Sequence, residues 1–213
     1  MNLLDNIEVR VLGSLIEKEI TTPDYYPLSL NALTLACNQS SNRDPVMQLD
    51  DATVSGAVDR LRQKSLVRGV RKSDSRVTKY SHLMADALNL DQRELGVICV
   101  LMLRGPQTVG ELRTRTARLS DFESLADVES TIGSLAAREP APLVSALARR
   151  PGQKEVRYAH LLSGEVTFDA PDPVTTRVNG DERITALEAA TEELRKELSD
   201  VRKQVEEFRK QFE

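Results

Sequence analysis

Apolar positions along this chain follow a helical period first and a strand period afterwards, and the whole sequence of periods occurs twice. Val9, Leu12, Leu15 and Ile16 form one helical stripe, and Leu95, Ile98, Leu101 and Met102 form another. Two further helices are predicted after each stripe. Ser29 precedes Leu30, Leu33 and Leu35, Thr108 precedes Val109 and Leu112, and Val54, Val58 and Leu61 match Val128, Ile132 and Leu135 at i, i+4, i+7 spacing. Ser29 and Thr108 are expected N-caps, while Asp50, Asp51 and Asp127 are expected as cap or first-turn carboxylates facing the positive end of a helix. The period then changes to alternation. Residues 66–83 and 143–161 begin 77 residues apart, and each reads as strand, polar turn, strand, with Ser73-Asp74-Ser75 and Pro151-Gly152 as the turns. Each copy therefore predicts helix, helix, helix, hairpin.

Three helices followed by a two-stranded hairpin is the order of a winged helix, in which the third helix can enter a major groove and the hairpin can touch backbone. The expected fold class is mainly α with small β-hairpins. Two tandem winged-helix domains are expected at residues 1–86 and 87–165, with a linker at 166–182 and a coiled-coil helix at 183–213. The first copy carries about five more residues than the second between its second and third helices, in the polar stretch 37–47.

Beyond Leu162 the apolar period stops, and Gly164, Pro171, Pro173 and Gly180 mark a connector. A heptad seam follows: Ile184, Leu187, Thr191, Leu194, Leu198, Val201, Val205, Phe208 and Phe212 alternate spacings of three and four without a break. An a/d-only stripe needs a facing helix, so a homodimer through Leu187, Leu194, Leu198, Val201, Val205 and Phe208 is expected.

Composition narrows the function classes. The chain has 213 residues, 29% charged and 4% aromatic, with a formal net charge of −4, so bulk electrostatics do not make it a nucleic-acid coat and local geometry must carry any such role. Its apolar runs fall short of the roughly 20 residues a bilayer span needs, and no signal sequence is read, so no membrane partner and a cytoplasmic location are expected. Cys37 and Cys99 stand alone in apolar helical patterns, which predicts burial rather than a metal cluster or redox pair. No catalytic set, metal site or cofactor motif can be assembled, so a non-enzyme is expected, without cofactor. His82 and His160 recur at the same place in both copies and are expected to pack at strand ends.

DNA is the expected partner, through Thr53, Ser55, Arg60, Gln63 and Lys64 on the third helix and Arg68, Arg71, Lys72, Arg76 and Lys79 on the first hairpin. The same hairpin charges also fit a solvated surface. The second copy is a poorer reader, because its third helix offers Glu129, Ser130, Ser134 and Arg138 with acid leading. It is expected to serve packing or a protein partner. A protein-interaction adaptor, using its helices, hairpins and tail, is the alternative function.

The stretch Leu15-Ile16-Glu17-Lys18-Glu19, then Thr22-Pro23-Asp24-Tyr25-Tyr26-Pro27-Leu28-Ser29-Leu30-Asn31-Ala32-Leu33, then Cys37-Asn38-Gln39 and Ser41-Asn42-Arg43-Asp44-Pro45-Val46, resembles the YceH family of uncharacterised bacterial proteins. The resemblance implies a tandem winged-helix fold in a bacterial cytoplasm and carries over no catalytic residues. Read physically, Asn38, Gln39, Ser41, Asn42 and Asp44 can satisfy loop backbone that would otherwise be buried unpaired. The other reading is an interaction surface displaying Tyr25, Tyr26 and Arg43.

Overall fold

The first helix, α1 (Asn6–Thr21), is buried on every side from Glu8 to Glu17, because other helices enclose it. Against one flank lie α2 (Leu30–Cys37) and α3 (Asp51–Gln63); against another lies α5 (Gln92–Arg104). α5 is likewise buried from Glu94 to Leu103, and the two apolar stripes contribute to one core cluster. Side chains of α5 pack directly onto Gly13, where an added Cβ would lie 2.9 Å from Leu103 Cδ2. The computed structural model describes residues 3–71, 77–149 and 155–164, all within a compact unit spanning Met1–Val166.

Seven helices and two small antiparallel sheets are present among the described residues. After α3 come β2 (Val67–Val70) and β3 (Lys79–His82), joined on the far side of β3 by the short β1 (Leu28–Ser29). A five-residue helix that the apolar pattern did not predict, α4 (Met84–Leu88), spans the expected boundary at residue 86. The second half continues with α5, α6 (Val109–Thr116), α7 (Leu125–Ala136), β4 (Val144–Ala146) and β5 (Tyr158–His160).

The halves repeat in hydrogen bonding as well as in order. Leu83 N donates to Leu66 O, and Leu161 N donates to Leu143 O, each at 2.8 Å. Leu28 pairs with Tyr80, and Gln107 forms an isolated bridge with Tyr158, so in both halves the chain just before the second helix joins the second hairpin strand. Ser29 and Thr108 cap α2 and α6 as expected, and Asp50 caps α3. Asp127 is the first-turn carboxylate of α7, at the third helical position of a capping box whose N-cap is Ser124, since α7 starts at Leu125, earlier than its apolar stripe suggests. Leu35 departs from its expected place: it is 67% exposed, since α2 turns Leu33, Thr34, Ala36 and Cys37 inward instead.

Burial decides the state of the thiols and imidazoles. Cys37 and Cys99 are both fully buried; desolvation raises the Cys37 thiol to about 11 and pushes Cys99 up further. Desolvation lowers both histidines, His160 to about 4. His82 Nδ1 accepts from Met84 N at 3.2 Å, at the start of α4, and its Nε2 lies 2.5 Å from Glu19 Oε2.

The polar stretch between α2 and α3 is clamped from within. Asn38 donates to Leu49 O and accepts from Leu49 N, both at 2.8 Å, and Asp44 N donates to Leu103 O at 2.9 Å. Arg10, buried in α1, donates to Cys37 O at 3.0 Å and Pro45 O at 2.6 Å. Arg43 is therefore not displayed as a contact residue. It turns inward, 6% exposed, donating to Glu17 Oε2 at 2.6 Å and to Ala36 O, because the buried Glu17 carboxylate demands a cation. Tyr26 is also not displayed: its phenol is half-buried and accepts from His82 N at 2.7 Å. Of that expected surface only Tyr25, 77% exposed, faces solvent. Arg43→Ala should lower stability by about 3 kcal/mol or more, because it strips a buried carboxylate of one of its cations. Urea unfolding checks this, and a loss below about 0.5 kcal/mol, typical of an exposed site, would return Arg43 to the surface.

Candidate nucleic-acid interface

The helical period divides the candidate residues of α3 between two faces. Val54, Ala57, Val58 and Leu61 face the core. Ser55, Gly56, Asp59, Arg62 and Gln63 fall on the opposite, outward face, while Thr53, Arg60 and Lys64 fall on the flank nearest the start of α1. Arg60 Nη2 donates to Asp5 at 2.9 Å, and its Nε lies 3.5 Å from Glu8; Lys64 donates to Glu8 at 2.6 Å and to Leu3 O at 2.8 Å. Lys64 is accordingly a structural cation rather than a free contact. Glu8, 1% exposed, sits at the third position of the α1 capping box with Asp5, and its burial requires a counter-charge.

The second half repeats this arrangement at matching positions. Asp91 and Glu94 form the capping box of α5, and Glu94 accepts from Ser134 at 2.9 Å and from Arg138 at 3.1 Å. Ser134 and Arg138 stand 74 residues after Arg60 and Lys64, the offset that also relates Leu61 to Leu135. Both residues, expected on the outward face of the second reading helix, instead tie the end of α7 to the start of α5.

Thr53 is also occupied, its hydroxyl and backbone N–H bonding the capping carboxylate of Asp50 and holding that acid below its usual range. Asp50 and Asp51 thus place carboxylates at the start of α3, and the cations of its outward face gather at the other end. There Arg62 and Gln63 line a groove with Asp59, Arg68 and Gly69 at the start of β2. Arg62 pairs with Asp59 at 3.2 Å, half-exposed, and Arg68 Nε donates to Ser81 at 3.0 Å while the residue stays exposed. The register Arg68↔Ser81 and Val70↔Lys79 puts Arg68 and Lys79 on one hairpin face. Arg71 follows β2 and is exposed. Lys72 and Arg76 lie outside the described residues, as do Leu187, Leu194, Leu198, Val201, Val205 and Phe208.

A groove of the second half, at the other end of the third helix beside the starts of α6 and α7, differs in character. Val109, Leu125, Val156 and Tyr158 line it beside Glu129, Glu155 and Arg149. Arg157 is held by Glu111 at 2.8 Å and by Pro106 O. Among the described residues, no group of three or more His, Cys, Asp or Glu is placed to hold a metal ion, and no helix is long and apolar enough to cross a membrane.

A family model described as "Protein of unknown function, DUF480" matches residues 4–153. The chain belongs to that family. A UPF0502 protein of Pelobacter propionicus is 52% identical over 219 residues, covering 99% of each chain. Those of Geobacter sulfurreducens and Aliivibrio salmonicida are 50% identical over 194 residues, covering 87% of each chain, and 45% identical over 212, covering 94% of this chain and 96% of the relative. The expectation of an uncharacterised bacterial family holds at that level. The shared designation states no activity, so the chemistry of the faces must argue for function.

Sequence reasoning missed the buried cations, although a signal for them is present: Glu8, Arg10 and Glu17 interrupt the apolar run of α1. Lys64→Ala should cost about 1–3 kcal/mol, because Glu8 is left short of a partner. Arg62→Ala, on the exposed face, should stay within about 0.5 kcal/mol. Urea midpoints of the two variants check the division of α3 into a structural flank and an open face, and equal losses would refute it.

Proposed function

We propose that the chain is a non-enzymatic tandem winged-helix protein that associates with DNA, in a regulatory role, through its first repeat. Three helices and a hairpin in each half support the winged-helix reading, with α3 and α7 as the third helices. The observation that carries the DNA reading is the meeting of Arg62 and Gln63 with Arg68 in one solvent-facing groove, with Lys79 and Arg71 on the adjoining hairpin. Arg68, Arg71 and Lys79 act on phosphate and fix orientation, whereas Ser55, Arg62 and Gln63 can reach base edges. The leading carboxylates Asp50 and Asp51 turn approach toward the C-terminal half of α3.

The second repeat suits a protein partner better. Its groove beside the start of α7 has apolar walls, an exposed Leu125 and two carboxylates against one arginine, Arg149, a balance that is poorer for phosphate than that of the first repeat and favours an apolar segment with basic flanks. The adaptor reading therefore survives as the alternative function of the whole chain. The heptad seam at residues 184–212 supports self-association, with Leu194 and Leu198 near its middle.

A mobility-shift series across salt concentrations tests the DNA reading. Binding at low salt is expected, and replacing Arg68, Arg71 and Lys79 with Ala should flatten the salt slope by about one unit for each phosphate no longer neutralised. No shift at low salt leaves the adaptor reading in possession. Sedimentation at several concentrations tests the tail: full-length chain should associate, and the double change Leu194→Asp, Leu198→Asp should give monomer, because charge in a dry seam lacks compensation. A double variant that still associates would place the interface elsewhere.

A further inference from the structure

Where the two repeats meet, four guanidiniums gather around one buried carboxylate. Glu17 Oε2 takes Arg43 and Oε1 takes Arg118, so both oxygens are occupied. Arg104, at the end of α5, and Arg115, in α6, line the same cleft as Glu17 and Arg118, with Asn42 from the polar loop and a wall of Val100 and Leu103. Among the described residues, neither of these two arginines has a carboxylate to itself. Arg104 donates to the neutral amide oxygen of Asn42, and Arg115 donates to that of Gln107. The acid beside Arg115, Glu111 at 3.5 Å, is engaged by Arg157 at 2.8 Å. Burial lowers the affinity of Arg104 for its proton, and the neighbouring charges of Arg115 and Arg118 lower it further. Positive charge is therefore in excess over the described groups around it, in a place open to solvent: the side chains of Arg115 and Arg118 are 32% and 45% exposed.

We propose that Arg104, Arg115 and Arg118 form a binding site for a small phosphate dianion, either inorganic phosphate or the head of a phosphate monoester. Planar guanidiniums present paired N–H donors that match phosphate oxygens, and three of them on three different segments can surround a tetrahedral anion. The cleft has room for about one water-sized group, so one phosphate oxygen enters between the guanidiniums and the others stay at the mouth. A monoester would then leave its organic part in solvent. Occupancy would tie α5, α6 and the turn after α6 together, and through Glu17 and Asn42 it would reach the first repeat. The site is separate from the α3 groove and does not rest on the DNA reading.

Isothermal titration of the full-length chain, free of nucleic acid, with inorganic phosphate and separately with phenyl phosphate, tests this at constant ionic strength maintained with chloride. One saturable site per chain is expected. Arg104→Gln and Arg115→Gln should each weaken binding about tenfold or more, as removal of a charge-assisted donor predicts. Arg113→Gln, whose arginine bonds Glu123 O outside the cleft, should leave it unchanged. Thermal melts in chloride alone identify any variant that fails to fold, and the melting temperature of the native chain should rise with phosphate beyond the chloride control. Saturation by phosphate but not by phenyl phosphate assigns the site to the free ion; saturation by both admits a monoester. Absence of saturable binding by either, or equal affinity in the Arg104, Arg115 and Arg113 variants, overturns the proposal.

Discussion

Everything in the described fold depends on the burial of α1, and the burial of α1 depends on neutralising the charges it takes inside. Glu17 is 1% exposed, and moving a carboxylate out of water costs several kcal/mol even after relaxation. Arg43 comes to it from the polar loop of the first repeat and Arg118 from the turn after α6 in the second. The insertion that distinguishes the first repeat thus delivers a cation that the central helix requires, and the same helix anchors the other repeat. Arg10 works in the opposite direction, carrying donors out of α1 to the carbonyls of Cys37 and Pro45. Loop and helix satisfy each other, so neither is independent of the other.

The order of elements was legible because apolar spacing is a direct record of which face is wet. Val54, Val58 and Leu61, and their partners Val128, Ile132 and Leu135, are buried as their period requires. The same logic could not reveal β1, a two-residue strand whose existence depends on β3 arriving beside Leu28. It also could not separate Lys64 from Arg62. Both are basic residues near the end of one helix, and only the position of Glu8 makes one structural and the other open. Arg43 and Tyr26 read as display residues because Arg and Tyr favour interfaces, but those residue types serve buried carboxylates and buried backbone equally well.

Repetition clarifies which polar contacts belong to the frame. Asp5, Glu8 and Lys64 in the first half correspond to Asp91, Glu94 and Arg138 in the second: a capping box at the start of the first helix, its glutamate held by a cation from the end of the third. A contact reproduced at equivalent positions in both halves, despite different outward faces, has a reason internal to the fold. That reason is geometric. The end of the third helix lies beside the start of the first just before the chain turns at Leu66 and Leu143 into its strands, and a charge-assisted bond holds the two ends together.

The contacts that are not repeated distinguish the outward faces of the halves. At the C-terminal end of α3 a groove is polar, with Arg62, Gln63 and Arg68 facing solvent; beside the start of α7, at the other end of the third helix, a groove has apolar walls and carries Glu129, Glu155 and Arg149. Two surfaces built on one frame can recognise different chemistries, because recognition depends on the outward residues while stability depends on the inward ones. The arginine cluster belongs to neither set. It exists where the halves join, from residues that no single repeat supplies, since Glu17 and Asn42 come from the first and Arg104, Arg115 and Arg118 from the second. Excess positive charge at such a junction is unfavourable on its own. It is tolerable because the Arg115 and Arg118 side chains reach water, and an anion there would relieve repulsion across the seam that Glu17 alone holds only in part.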